Sequence, residues 1–99
     1  MSISSIDDAT ALRRAPGIMS APVREQLLMM DLATERYFLL SPVTARIWDL
    51  LAAPCVVSDL VTCLVAEYEV APEVCRVEVL EVLRGLAQQQ MIETVEPGS

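Results

Sequence analysis

The chain has few residues that could carry out chemistry, and their spacing argues against an active site. It contains three cysteines, Cys55, Cys63 and Cys75, and no histidine. Without an imidazole, a serine or cysteine nucleophile lacks its usual base near neutral pH. The cysteines are widely spaced and form no Cys-x-x-Cys pair. They therefore predict buried free thiols rather than a zinc site or a disulfide.

Other sources of catalysis are equally sparse. Only three glycines are present, and they stand too far apart to form a phosphate-binding loop: Gly17, Gly85 and Gly98. Most carboxylates recur at helix-surface spacing, as Glu78 and Glu81 do, which is typical of a solvated face. Ser58 precedes a helical pattern, where it is expected to cap the helix. We therefore predict no enzyme activity and no cofactor or metal.

Size and charge describe a small acidic domain. The 99 residues are 54% hydrophobic, enough to form one compact domain rather than a disordered chain. The net charge is −7: residues 1–66 hold seven acids and five arginines, and residues 67–99 hold seven acids and two arginines. An acidic C-terminal half would repel phosphate backbones. We therefore expect no nucleic-acid partner.

Nothing in the sequence indicates a membrane segment or export. Uncharged stretches such as residues 50–58 are far too short to span a bilayer. The N-terminal residues place acids first and lack the apolar region of a signal peptide. We therefore expect a cytoplasmic protein without a membrane partner.

The first half of the chain predicts three short strands. Ile18–Ala21 is apolar and ends at a proline. Val23–Met30 begins polar and becomes apolar, as a strand entering a core would. Asp31–Arg36 is a polar turn of hairpin length, and Tyr37–Leu40 is aromatic and apolar.

Three helices are expected to follow. Ser41 and Pro42 form a strong start signal, because serine caps free N–H groups and proline fits the first turn. The first helix carries one apolar face: Val43, Ile47, Trp48, Leu50 and Leu51. The second helix should begin at Ser58, and the third should run from residue 73 to about 90.

The domain boundaries follow from these patterns. Residues 1–15 are polar and aperiodic, which predicts a flexible N-terminal arm. Residues 16–93 contain every predicted element and should form the folded domain. Residues 94–99 are expected to be a flexible tail.

The third helix has more apolar residues than one packed face requires. Cys75, Val79, Val82, Leu83 and Leu86 share a wide core-facing arc. Leu80 lies at the edge of this arc, and Val74 and Val77 fall outside it. The surplus residues either wrap under the sheet or meet a partner.

In this order, the segments resemble a known family. LLMMD, RYFLL and ARIWDLL are followed by VVSDLVTCLVAEYEV and VEVLEVLRGLAQQQMIE. The chain is similar over about Val23–Glu93 to the PqqD-like modules called RiPP precursor peptide recognition elements. The resemblance implies an α+β fold that is winged helix-turn-helix-like, with a three-stranded antiparallel sheet followed by three helices.

The resemblance also implies a function and partners. Such a module binds the leader of a ribosomally made precursor peptide and presents it to a processing enzyme. A free-standing chain is most similar to the leader-binding protein of lasso peptide biosynthesis, whose partner is a cysteine-protease-like leader peptidase. Two alternatives stay open: a winged-helix DNA-binding regulator, and a PqqD-type chaperone in quinone cofactor biosynthesis. Ala52–Pro54 and Glu35 depart from the glycines common in PqqD itself, which counts against the quinone role.

Strand addition would place the peptide beside the third strand. An edge strand offers unpaired N–H and C=O groups that a peptide can bind, with alternate side chains entering pockets. The third helix would form the other wall. Sequence alone leaves open which face of the strand, that of Tyr37 and Leu39 or that of Phe38, meets the ligand. The candidate peptide-binding residues are Arg36, Tyr37, Phe38, Leu39, Leu40, Val74, Val77, Glu78, Leu80, Glu81 and Arg84.

Overall fold

The computed structural model describes residues 6–95, which form two small antiparallel sheets and three helices. The strands are β1 (Ala11–Arg14), β2 (Ile18–Val23), β3 (Gln26–Asp31), β4 (Arg36–Leu40), β5 (Cys55–Val56) and β6 (Ile92–Val95). The helices are α1 (Pro42–Leu50), α2 (Val57–Tyr68) and α3 (Pro72–Gln88). The predicted mixed fold, a three-stranded antiparallel sheet with three helices, is confirmed.

The larger sheet has the strand order β2-β3-β4 and packs one face against the helices. Its register pairs Ser20 with Met29 and Met29 with Phe38. Met29 is completely buried and Phe38 packs on the core. Because side chains alternate along a strand, Met19, Met30 and Tyr37 in the next row point to the opposite face.

Two tight turns define this sheet. β2 and β3 are joined by a turn at Arg24, which has a left-handed φ of 59°. The prediction of one strand over Val23–Met30 was wrong, because this turn interrupts it. Between β3 and β4, the Asp31 carboxylate accepts the Ala33 N–H at 3.0 Å. Glu35 adopts a φ of 59° at the position where the resembled family commonly has glycine.

The helices begin and end close to their predicted bounds. Ser41 caps α1, since its Oγ accepts the Thr44 N–H at 3.4 Å and Pro42 opens the helix. The expected Ser58 cap is wrong: α2 begins one residue earlier, at Val57, after an N-cap residue, Val56, whose side chain makes no cap bond. The Ser58 N–H instead donates to the Asp8 carbonyl at 3.1 Å.

The second sheet corrects the predicted domain boundaries. β1 lies between β5 and β6, and Leu12 is 1% exposed. The expectation of a flexible arm over residues 1–15 is therefore wrong for residues 11–14, which pair on both sides. The expected tail over 94–99 begins inside β6. Residues 1–5 and 96–99 lie outside the described residues.

Arg14 connects this added strand to the helical core. Its Nε and Nη2 atoms donate to the Trp48 carbonyl oxygen at 3.0 and 2.7 Å. Its guanidinium carbon also lies 4.7 Å from the centroid of the Trp48 ring. A cation bonded to a carbonyl in the last turn complements the helix dipole. β1 therefore fixes the C-terminal end of α1.

The core differs from prediction at the start of α1. Ile47, Trp48 and Leu51 are buried as expected, and Leu50 is half-buried. Val43 was assigned to the same face, but it is exposed. It lies in the first turn of the helix, at the mouth of a cleft described below.

We expect Leu12→Ala to destabilise the protein by about 2–5 kcal/mol, because it removes a fully buried side chain from β1. Urea unfolding followed by circular dichroism measures the change. Leu32→Ala is the matched control, since Leu32 is half exposed and should cost far less. Equal effects of the two substitutions would mean that β1 is not part of the core.

Candidate functional site

We use the term groove for the space between the open edge of β4 and the C-terminal half of α3, and a side-chain bridge closes one of its ends. Arg36, the first residue of β4, donates from Nη1 to the Gln89 Oε1 atom at 3.0 Å. Gln89 is the C-cap residue of α3. The Arg36 guanidinium also lies over the Phe38 ring, 5.2 Å from its centroid. The start of β4 is thus held against the end of α3.

Alternation along β4 decides which side chains face this groove. Arg36, Phe38 and Leu40 lie on the helix-facing side, where Leu40 is buried and Phe38 is half-buried. Tyr37 and Leu39 point to the other side of the sheet and are 64% and 53% exposed. Of the two faces that the sequence left open, the one with Phe38 therefore turns towards the helices and the one with Tyr37 and Leu39 turns away from them.

Beyond the C-terminal end of β4 lies a cleft of about 430 Å³ between the three helices. The cleft walls are mostly apolar, with two carboxylates and two hydroxyl side chains beside them. They comprise Ser41, Val43, Thr44, Ile47, Leu64, Tyr68, Val70, Cys75, Glu78, Val79, Glu81 and Val82. Ser41 directly follows β4, so the cleft begins where the strand ends.

On α3, the side facing β4 carries Val82, Gly85 and Gln89. Gln89 contacts Arg36 directly, and Gly85 lies one turn before it on the same side. A Cβ added at Gly85 would meet nothing within 4 Å. Glycine in a helix interior costs about 1 kcal/mol relative to alanine. Packing within residues 6–95 therefore does not require this glycine, and open space lies in front of it.

The predicted residues of α3 divide into three groups. Glu78 and Glu81 line the cleft between the helices. Val74 and Val77 are more than half exposed and line a shallower depression on the outer side of the helix, next to the same glutamates. Leu80 is 7% exposed and belongs to the core. Its assignment to the groove wall is wrong, because the packed arc of α3 is wider than one stripe.

Arg84, also predicted, is exposed on α3, and neither the cleft nor the shallow depression includes it. Sequence reasoning did not single out Val43 and Val82, which line the cleft, or Gly85 and Gln89, which lie on the side of α3 near Arg36. Val43 and Val82 had been assigned to the core. The glycine was a usable signal, since a helix former would be expected in the middle of α3.

The edge of β4 next to the groove has no strand partner within residues 6–95. Its backbone N–H and C=O groups on that side are therefore available to an added strand. The other edge of the sheet is β2, which contains Pro22. Proline lacks the N–H donor that a ladder needs, and it is typical of edges that avoid pairing.

Electrostatics differ between the two ends of the groove. The Arg36 guanidinium marks the closed end, whereas Glu78 and Glu81 mark the cleft. Cys75 lies in the cleft wall, where burial, and to a lesser degree the nearby Glu78 carboxylate, raises the pKa of its thiol. Burial, as the main cause, also raises the pKa of the half-buried Cys55. Buried thiols had been predicted for all three cysteines, but Cys63 is exposed.

Two classes of site are absent from the described part of the chain. Residues 6–95 contain no group of three or more Cys, Asp or Glu side chains placed to hold a metal ion. No helix there is long and apolar enough to cross a membrane.

We expect iodoacetamide at pH 8 to alkylate Cys63 first and Cys75 on the order of tenfold more slowly. The attacking species is the thiolate, which a raised pKa makes scarcer and burial makes less accessible. Mass spectrometry of timed samples measures the order. Cys63→Ser should remove the fast phase and leave the slow one. Alkylation of Cys75 at the rate of Cys63 would contradict the cleft geometry.

Comparison with solved structures identifies similar chains. TbiB1 in complex with the TbiA(beta) leader peptide is 27% identical, with a TM-score of 0.77 over 85% of this chain and 98% of that one. Lasso peptide synthetase B1 complexed with the leader peptide is 22% identical, with a TM-score of 0.74 over 83% and 96%.

A third similar structure comes from Methylobacterium extorquens. It is the PqqD truncation of PqqCD, a stand-alone RiPP recognition element, 22% identical with a TM-score of 0.78 over 94% of this chain and 99% of that one. Comparison with curated proteins gives no match. The family model for Coenzyme PQQ synthesis protein D matches residues 26–92, which span β3 to β6. The chain belongs to the PqqD family.

Proposed function

We propose that this protein is a non-catalytic module that binds the leader region of a ribosomally made precursor peptide by strand addition. The carrying observation is the open edge of β4, which lies beside the C-terminal end of α3. A peptide in extended form would continue the β2-β3-β4 sheet as a fourth, antiparallel strand. Backbone hydrogen bonds would supply affinity, and alternate side chains would enter the groove.

The geometry supports β4 rather than β2 as the receiving edge. β4 contacts the end of α3 through Arg36 and Gln89, so a strand added there would bury side chains on the helix-facing side. Phe38 and Val82 are half-buried and would gain further burial from apolar peptide side chains. At β2, Pro22 removes a donor and the strand is almost wholly exposed.

Each candidate residue takes a defined place in this proposal. The strand Arg36–Leu40 provides the pairing edge, with Phe38 and Leu40 forming the groove floor. Glu78 and Glu81 border the cleft that would receive a larger peptide side chain. Val74, Val77 and Arg84 lie at the outer rim, where their contribution is expected to be smaller.

The comparisons support a leader as the peptide. TbiB1 and lasso peptide synthetase B1 were each solved with a leader peptide, and both match nearly their full length to this chain. We propose by extension that the module presents the leader to a cysteine-protease-like leader peptidase in lasso-type biosynthesis. A non-catalytic module of this kind would leave removal of the leader to a separate enzyme.

The two alternatives have less support. A winged-helix arrangement of α1–α3 could in principle bind DNA, but α3 carries Glu73, Glu78 and Glu81 on its exposed sides, where phosphates would be repelled. A chaperone role in quinone cofactor synthesis would fit the family name. However, Ala52–Pro54 replaces the Asp-Gly usual in PqqD itself, which counts against it.

We expect Gly85→Leu to weaken leader binding by about tenfold or more, because the new side chain would occupy the space for the peptide. The same substitution should leave stability unchanged or raise it by up to about 1 kcal/mol, since leucine favours a helix more than glycine does. Fluorescence polarisation with a labelled synthetic leader, taken from a precursor peptide identified in the same genome, measures the affinity. Urea unfolding measures the stability.

The matched control is Gln88→Leu, which adds an apolar side chain at an exposed α3 position outside the cleft. It should bind the leader as the wild type does. Tight binding by Gly85→Leu would show that the peptide does not occupy this groove. Failure of the wild type to bind would reject the function itself.

We further expect the leader to slow hydrogen exchange at the β4 amides that point to the open edge, because strand addition gives them hydrogen-bond acceptors. Amides of β2 should be unaffected. Exchange measured by NMR with and without leader tests this expectation. Protection confined to β2, or to the helices alone, would contradict strand addition at β4.

A further inference from the structure

The outward face of the β2-β3-β4 sheet carries an apolar surface with no cover among residues 6–95. The register aligns two transverse rows on this face, Met19–Met30–Tyr37 and Ala21–Leu28–Leu39. Val23 follows on the same side of β2. Met19, Tyr37 and Leu39 are each more than half exposed. We call these seven residues the outer face.

Contiguity distinguishes the outer face from ordinary exposed residues. Single exposed apolar side chains are common, but adjoining rows mark interaction surfaces. The two rows contain no charged side chain, although the chain carries a net charge of −7. Charge is therefore concentrated elsewhere, and the outer face would be buried without leaving an ion unpaired.

The position of the outer face relates it to the peptide edge. Tyr37 and Leu39 belong to β4, the strand proposed to receive the leader. A peptide added there would direct every second side chain into the groove and the intervening ones onto the outer face. A protein seated on the outer face would therefore touch the module and the peptide at once.

We propose that the outer face is the docking surface for the enzyme that processes the bound peptide, an inference that rests on the proposed leader-binding function. A second copy of the chain fits less well, because two molecules of charge −7 repel each other. An anionic membrane is disfavoured for the same reason. A peptide added beside β4 would extend both rows by one side chain each. An enzyme seated here would therefore contact its own substrate at the end of each row.

The test uses residues on β2, two strands away from the peptide edge. Met19→Asp and Val23→Asp place a carboxylate on the outer face at exposed positions. Ala66→Asp, at an exposed position of α2, is the charge-matched control. Fluorescence polarisation reports binding of the same labelled leader. Isothermal titration and a cleavage assay report binding and activity of a leader peptidase identified in the same genome.

The expected result separates the two surfaces. Met19→Asp and Val23→Asp should bind the leader within about twofold of wild type, yet weaken peptidase binding about tenfold or more and slow cleavage accordingly. Ala66→Asp should change neither measurement. Two outer-face variants guard against a folding defect in one, which circular dichroism would reveal.

Three results would overturn the inference while leaving leader binding intact. One is peptidase binding by both variants at wild-type affinity. Another is a wild-type dimer in sedimentation velocity that Met19→Asp dissociates, which would assign the outer face to a second copy. The third is binding to phosphatidylglycerol vesicles that Met19→Asp abolishes. Failure of the wild type to bind the leader would instead overturn both proposals.

Discussion

Packing of the helices against only one face of the β2-β3-β4 sheet is the constraint on which the rest of the structure depends. Met29, completely buried in the central strand, lies in the middle of this contact. Every other residue of each strand is thereby committed to the core, and the remainder to solvent. A shift of one residue in register would exchange the two sets. Both the groove and the outer face exist because this register is fixed.

Much of this architecture could be predicted from local sequence. The Ser41–Pro42 start of α1 and the apolar faces of the helices follow from capping chemistry and periodicity. The N-terminal strand could not be predicted, because its pairing partners, β5 and β6, are some 40 and 80 residues away in sequence. Four residues with one buried side chain, Leu12, give too weak a local pattern. Only tertiary pairing makes them a strand.

The site was predictable in outline but not in detail. The edge strand Arg36–Leu40 followed from its composition and from the family resemblance. The side of α3 that faces β4 could not be predicted, because a surplus of apolar residues does not indicate which side of the helix meets the strand. Leu80 fills the core and Val77 faces outward, whereas the Arg36–Gln89 contact fixes the true orientation of the helix. That contact joins residues 53 positions apart, and no helical periodicity reveals it.

At Gly85, the stability of α3 and the proposed peptide binding favour different residues. Stability alone would favour a side chain at this position, because the surrounding space is open and glycine weakens the helix. A strand laid beside β4 needs that space, since backbones can approach closely only where no Cβ intervenes. If the proposed peptide binds there, its backbone rather than the packing of the chain would account for a glycine at this position. The outer face would also gain from a bound peptide, because a strand added beside β4 would extend both of its rows. One bound peptide would therefore fill the space before Gly85 with one set of side chains and widen the outer face with the other.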